Sequence, residues 1–210
     1  MKVIIAALCY TTLFILIELV TRKTKLSKEL SRKIAHILAG TSAAFLPLFM
    51  NFRQILLLSL LFLPVMVISK RKNLFSSIHG VSRKTYGEVY FPMAIFLSAL
   101  LFPNKQLFMY GVLVMSLSDG FASVFGQRYG KKKYKLWQGE KSYVGSSVFF
   151  IMTLMIGLAV MVQIPVWVIV GSALVLTFAE ACLSGGIDNL ILPPLASGLI
   201  YGAMKLLNIV

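Results

Sequence analysis

The stretch Leu107-Phe-Met-Tyr-Gly-Val-Leu-Val-Met-Ser-Leu-Ser-Asp-Gly-Phe-Ala-Ser-Val-Phe125 is an almost unbroken apolar run with one carboxylate, Asp119, in its second half. At about 1.5 Å of rise per residue, a run of this length as a helix nearly matches the ~30 Å hydrocarbon core of a bilayer. A carboxylate inside such a segment is expensive and usually functional. Working outward, seven more apolar segments are read at about 3–20, 34–50, 54–69, 88–102, 144–162, 164–182 and 190–208. The shortest need interfacial side chains or a thin bilayer to span. The 210 residues are 58% hydrophobic and only 13% charged, with a mean hydropathy of +0.85. That composition excludes an ordinary soluble domain. Almost nothing remains outside the segments, so residues 1–210 are expected to form one all-α, polytopic transmembrane bundle of about eight helices. The first segment lacks a small-residue cleavage site and carries Glu18 near its end, so it reads as a retained helix. Cys9 and Cys182 lie in or at the ends of apolar segments, with no spacing that suggests a metal site or a disulfide.

The basic residues alternate along the chain. Lys2, Arg53 and Lys105 stand singly, whereas the stretches 21–33, 70–87 and 126–143 hold six, five and six Lys or Arg residues. This is the positive-inside pattern, and it predicts both termini outside and the three basic loops in the cytoplasm. The net charge of +14 is then mostly topology and contact with anionic lipid. Nucleic-acid binding has no soluble module to carry it. All seven acidic residues, Glu18, Glu29, Glu88, Asp119, Glu140, Glu180 and Asp188, fall on that same side. A shorter chain of this kind suggests a prokaryotic source and hence the plasma membrane.

Five polar features meet at that face. Ser31-Arg32-Lys33-Ile34-Ala35-His36 opens the second segment. Thr85-Tyr86-Gly87-Glu88-Val89-Tyr90-Phe91-Pro92 opens the fourth, with Glu88 where a helix dipole favours an anion. Asp119 has Ser116, Ser118 and Ser123 for neighbours in sequence, and its burial demands a cation, a metal or several donors. Gly120, Gly126 and Gly130 allow close backbone approach, either to a ligand or, as a small-xxx-small pair, to another helix. A basic cluster of Arg128, Lys131, Lys132, Lys133 and Lys135 follows, then Lys141, Ser142, Gly145 and Ser146 at the sixth helix start. Lysines, a hydroxyl and the N–H groups of a helix N-terminus are what a phosphate chain requires. No Gly-x-x-x-x-Gly-Lys-Ser/Thr run occurs. Glu180 closes the seventh segment. Gly185-Gly186-Ile187-Asp188-Asn189-Leu190-Ile191-Leu192-Pro193-Pro194 opens the eighth, where Asp188 and Asn189 are also natural caps and Pro194 predicts an irregular helix start.

The ordered set Arg32-Lys33-x-x-His36, Tyr86-Gly87-Glu88-x-Tyr90-Phe91-Pro92, Ser118-Asp119-Gly120-x-Ala122-Ser123-x-x-Gly126-x-x-x-Gly130, Lys141-Ser142-x-x-Gly145-Ser146 and Glu180 with Asp188-Asn189-Leu190-x-x-Pro193 resembles the CTP-dependent polyprenol kinase family. That family includes dolichol kinase and phytol kinase, and related members phosphorylate diacylglycerol. The family's Lys-Ser/Thr-x-x-Gly-Ser/Thr piece usually has a glutamate before its glycine, and here that position is Val144. Either Glu140 takes over part of that role or this chain does without it. The resemblance implies transfer of the γ-phosphoryl group of a nucleoside triphosphate, CTP in the family, to a lipid alcohol with Mg²⁺. Under it, Asp119 and Asp188 are metal or base candidates together with Glu180, His36 and Glu88 count among the catalytic residues, and His36 also helps to neutralise the product phosphate. The stretch 126–143, with Ser123, Gly126, Arg128, Gly130 and Lys131 to Lys133, is the expected nucleotide loop. Lys141, Ser142, Gly145, Ser146, Gly120 and Asn189 support the nucleotide, and Arg32 and Lys33 neutralise the product phosphate.

Two other functions compete. A CTP:phosphatidate cytidylyltransferase would also be a polytopic enzyme using CTP and Mg²⁺, but its Gly-His-Gly-Gly-x-x-Asp-Arg-like run is absent. A transporter needs polar groups through the midplane, and Arg53, Lys105 and the 163–165 turn are nearly all the other face offers. The lipid alcohol and the oligomeric state are not written in the residues.

Overall fold

A computed structural model describes residues 1–24, 26–72, 74–75, 85–137 and 139–209. Lys25, Arg83 and Lys84 of the basic loops lie outside them. Among the described residues the chain forms eight helices: α1 (Lys2–Thr24), α2 (Lys28–Ala44), α3 (Phe52–Lys72), α4 (Gly87–Leu101), α5 (Lys105–Tyr129), α6 (Tyr143–Val160), α7 (Val166–Cys182) and α8 (Ile187–Leu206). Four of them, α1, α3, α5 and α6, are long and apolar enough to cross a membrane, and α4 and α7 are shorter apolar helices. The all-α bundle is that of a polytopic membrane protein. Its outer surface shows Ile4, Leu8, Leu57, Leu61, Met155 and Phe178 about half exposed or more, which suits acyl chains and would aggregate in water.

Helix α5 is the axis of the bundle. Burial covers 72% of its apolar window, against 17% for α1. Small residues let its neighbours close in. A Cβ on Gly111 would lie 2.4 Å from the Pro193 carbonyl oxygen of α8, and Ser197 donates to the Leu107 carbonyl at 2.8 Å. On the α2 side, a Cβ on Gly40 would meet Ser116 at 2.4 Å, and one on Gly120 would meet Ile37 at the same distance. Close backbone approach through small residues is how helices associate where lipid offers no hydrophobic drive. Ile37 and Gly40 lie on one face of α2, so that crossing fixes Lys33 and His36, on the same face, against Met115 and Asp119.

Three sequence expectations need correction. The second helix begins at Lys28, capped by the Ser27 hydroxyl, and ends at Ala44, with Leu46–Leu48 a 3₁₀ turn. His36 therefore sits about two turns into α2. The 126–143 stretch is not an open loop. Helix α5 runs on to Tyr129, and Lys133–Leu136 (β1) pairs antiparallel with Gly139–Ser142 (β2). Lys133 and Lys135 share one side of this short extended pair and Tyr134 and Leu136 the other, a period of two too short to stand out among the surrounding charges. Tyr134 holds this hairpin to α6, through a hydroxyl contact with Ser146 and a ring contact with Tyr143 at 5.0 Å. Helix α8 starts at Ile187, after Gly186 in a left-handed turn with φ of 95°, and passes unbroken through Pro193 and Pro194.

Candidate functional site

The charged residues of α2, α5, α7 and the hairpin converge on one polar cavity of about 630 Å³. Its walls bring together Arg32, Lys33 and His36 of α2, Asp119 and Ser123 of α5, Lys141 and Ser142 of β2, Glu180 at the end of α7, and Asp188 and Asn189 opening α8. Gly126, Lys133, Glu140, Gly145 and Ser146 also line it, whereas the predicted Glu88 lines an adjoining apolar space instead. Opposite the cavity, at the other helix ends, Lys2 donates to the Phe49 carbonyl at 2.8 Å.

Three buried carboxylates, Asp119, Glu180 and Glu88, are each held by at least one cation. Asp119, 4% exposed, accepts from Lys33 at 2.8 Å and lies 3.7 Å from His36 Nε2. Glu180, also 4% exposed, is bound by the Lys141 ammonium. Burial opposes the Lys141 charge, but Glu180, with Asp119 and Asp188 beyond it, outweighs that and holds the amine above its ordinary value. Glu88 is held by Lys70 at 2.7 Å and by Arg32 at 3.3 Å. Charges removed from water need such partners, and taking one partner away is costly.

A second layer fixes the loops. Thr85 Oγ1 accepts from Arg32 at 3.0 Å and from the Gly87 N–H at 3.2 Å, and donates to the Gly185 carbonyl at 3.2 Å. Asn189 Nδ2 donates to the Gly87 carbonyl at 3.1 Å. Together these tie the entry of α4 to the entry of α8. Lys70 also donates to the Thr85 carbonyl and lies 4.2 Å over the Tyr86 ring.

Helix α5 is widened at Val114–Ser118 into a π-turn, where the Asp119 N–H bonds the Val114 carbonyl instead of that of Met115. The Met115 carbonyl is taken by His36 Nε2 at 2.9 Å. A carbonyl only accepts, so Nε2 carries the proton, and in the neutral ring Nδ1 keeps the lone pair. π-turns inside helices are frequent at functional sites. Here the turn delivers both the acceptor that orients His36 and the carboxylate beside it.

Some expected residues land elsewhere. Gly120 packs on Ile37 and does not line the cavity. Gly130 would put a Cβ 2.4 Å from that of Ser142, and so seats the hairpin on α5. Arg128, Lys131 and Lys132 are exposed and outside the cavity wall; Arg128 lies 5.6 Å from the Tyr129 ring. The Ser142 hydroxyl caps α6, accepting from Gly145 N–H at 3.0 Å. Lys70, Thr85 and Gln127 are site neighbours that sequence reading missed. Thr85 opened the quoted 85–92 stretch without being given a role, whereas Lys70 counted only toward loop charge.

A second space adjoins the first. A narrow apolar crevice of about 80 Å³ runs between α1, α2, α3 and α4, lined by side chains such as Phe14, Ala39, Phe62, Phe91 and Ile95. Arg32, His36 and Asn189 line both the crevice and the polar cavity. An amphiphile whose head reacts in the cavity and whose tail lies in the crevice would cross at those three residues.

Magnesium prefers oxygen ligands, keeps several waters and is commonly held by one or two carboxylates plus substrate phosphates. No cluster of three or more His, Cys, Asp or Glu forms a metal cage among the described residues. Asp119 and Asp188 face the same cavity, and Glu180 Oε2 is buried with no hydrogen bond among the described residues. These residues fit a Mg²⁺ that arrives with a phosphate chain rather than one caged by protein alone.

Comparison with curated proteins gives relatives of one kind. The chain is 27% identical over 208 residues to the phytol kinase of a Synechocystis strain, covering 89% of this chain and 84% of that protein. It is 30% identical over 158 residues to a probable phytol kinase 2, chloroplastic, of Glycine max, and 26% identical over 165 residues to the chloroplastic phytol kinase 1 of Arabidopsis thaliana. The chain spans 51% and 52% of those plant proteins, about half their length. No family model and no solved structure matches. The resemblance to the polyprenol and phytol kinases read from the motifs is borne out by these relatives, whose names are those of kinases, phosphotransferases with an alcohol acceptor.

Proposed function

We propose that this protein phosphorylates an isoprenoid alcohol of the phytol or geranylgeraniol type, with CTP as donor, at the cytoplasmic face of the membrane. The observation that supports it best is the junction at Arg32, His36 and Asn189, where a charged cavity and an apolar crevice share a wall. A lipid alcohol has that same division between a hydroxyl and a tail. The relatives' names favour an isoprenoid over diacylglycerol. The family resemblance supports CTP, and the alternation of basic loops supports the cytoplasmic orientation.

The reaction breaks the alcohol O–H bond, forms an oxygen–phosphorus bond to the γ-phosphorus, and breaks the bridging bond to the β-phosphate. Phosphorylated lipid and nucleoside diphosphate result. Positioning and charge neutralisation supply most of such catalysis. His36, oriented by the Met115 carbonyl, offers Nδ1 to the departing proton, and the Asp119 carboxylate 3.7 Å from Nε2 steadies the imidazolium that forms. Lys33 and Lys141 sit on the cavity wall, where developing phosphate charge is met by fixed ammonium groups. Arg32 lies at the lipid entrance and neutralises the product phosphate. Asp119 and Asp188 would hold Mg²⁺, which when bound offsets charge between the phosphates.

The deciding experiment incubates the full-length protein in lipid nanodiscs with γ-labelled CTP, ATP, GTP or UTP against phytol, geranylgeraniol, a short dolichol and diacylglycerol. Label in phytol or geranylgeranyl phosphate, highest with CTP, is expected. Release of pyrophosphate with CDP-lipid would instead identify a cytidylyltransferase. Alcohol uptake into proteoliposomes without nucleotide would identify a transporter.

A further inference from the structure

A third space lies at the opposite end of α1. It is a groove of about 620 Å³, bordered by Lys2, Cys9, Tyr10, Leu46, Phe49 and Met50. Tyr10 and Leu46 line both this groove and the apolar crevice that begins at His36. The Tyr10 ring spans the gap from α1. Its hydroxyl hydrogen-bonds Ser42 of α2 at 3.3 Å, and its edge meets Phe62 of α3 at 5.7 Å. The side chain is thus braced from two helices at the boundary between two apolar spaces.

We propose that Tyr10 sets the tail length this enzyme accepts, and that the groove beyond it receives the distal isoprene unit of longer alcohols. The inference deepens the kinase reading and rests on it. From His36 to Ala44 is eight residues of α2, about 12 Å at helical rise, and the cap residue and 3₁₀ turn carry Leu46 ~3 Å further. A hydrocarbon zigzag with ~1.5 Å bonds at ~111° advances ~1.25 Å per carbon, so about twelve carbons fill that distance. Farnesol, with a twelve-carbon main chain, ends at Tyr10. Geranylgeraniol and phytol, with sixteen, must pass it by ~5 Å on the same spacing, and the groove lies where that remainder emerges. Inside a bilayer a tail gains little by leaving lipid for protein, because acyl chains are as apolar as leucine. Selection among tails must therefore come from shape, and a braced aromatic ring across the track is a shape device.

The test compares farnesol and geranylgeraniol in the full-length wild type and in Tyr10→Trp, Tyr10→Ala and Leu46→Trp. Two quantities are read: the ratio of kcat/KM values for the two alcohols with CTP, and the ratio of the two alcohols bound without nucleotide, by native mass spectrometry. Both tryptophan variants should lower the geranylgeraniol-to-farnesol ratio about tenfold, and Tyr10→Ala should raise it and extend turnover to longer polyprenols. Leu46→Trp keeps the question answerable if Tyr10→Trp does not fold. Phosphorylation of both alcohols with ratios within twofold of wild type in every variant overturns the role of Tyr10 and leaves the kinase reading standing. Bound-alcohol ratios that follow residue 10 in a protein that phosphorylates neither alcohol uphold the tail track and overturn the kinase reading.

Discussion

Replacing Lys141 with methionine separates structure from chemistry at this site. The Lys141 side chain is 19% exposed and that of Glu180 only 6%. In Lys141→Met the Glu180 carboxylate keeps its burial and loses its cation, and its Oε2 already has no hydrogen bond among the described residues. Removing one member of a buried pair costs about 3–5 kcal/mol. Water reaches the amine in part, so the lower end, about 3 kcal/mol, applies here. For a chain of this size that is a fall in Tm of roughly 6–12 °C. Glu180→Leu in the same chain removes the stranded charge, and apolar replacement of a whole pair is commonly neutral or stabilising. The double variant should therefore recover Tm. It should not recover nucleotide turnover, because Lys141 also faces the cavity, and loss of one fixed donor to developing charge costs on the order of 100-fold. Intrinsic fluorescence melts in nanodiscs and kcat/KM for CTP measure the two effects. A single variant melting within 1–2 °C of wild type would refute the buried-pair reasoning. A double variant with wild-type kcat/KM would refute the phosphate role.

Asp119→Asn should cut turnover by on the order of 1,000-fold while the protein still inserts and elutes as wild type, because one oxygen and the shape survive but the charge does not. Gly111→Ala should lower Tm through a Cβ placed 2.4 Å from the Pro193 carbonyl oxygen and 2.5 Å from Ser197 Oγ, at about 1–3 kcal/mol for overpacking. Gly171→Ala, in α7 with nothing within 4 Å of the new Cβ, should instead raise it slightly, since alanine is favoured over glycine in helices by ~1 kcal/mol. Chelation with EDTA should abolish turnover without changing the melting curve of the nucleotide-free protein, and added Mg²⁺ should restore it; a melt that collapses on chelation would show a structural metal instead.

The helices and the meeting of charges were legible because both follow from cost. Apolar runs of bilayer length leave few alternatives, and a buried carboxylate such as Asp119 demands a cation, a metal or several donors. The sequence does not say which cation serves which acid. Lys33, Lys70 and Lys141 are equally plausible partners until the α2–α5 crossing at Gly40 and Gly120 puts Lys33 on Asp119. The hairpin was illegible for another reason. Its strands are four residues each and rich in lysine, so no apolar period marks them, and its turn uses Trp137 at φ 44° rather than an Asn-Gly pair. The double duty of Ser142 and Gly145 was hidden too: residues read as phosphate ligands also form the cap and close contact that seat α6.

The widened turn at Val114–Ser118 also says what one extra residue does in this helix. A π-turn takes one residue more than a regular turn, and the α-ladder resumes on either side of it. Deleting one residue there should therefore let α5 wind regularly and leave Asp119 to Tyr129 close to their present faces. The Met115 carbonyl would return to its own helix, and His36 would lose the acceptor that orients it. A single-codon deletion there should thus spare the fold and fall on the histidine, although no reacting group is removed.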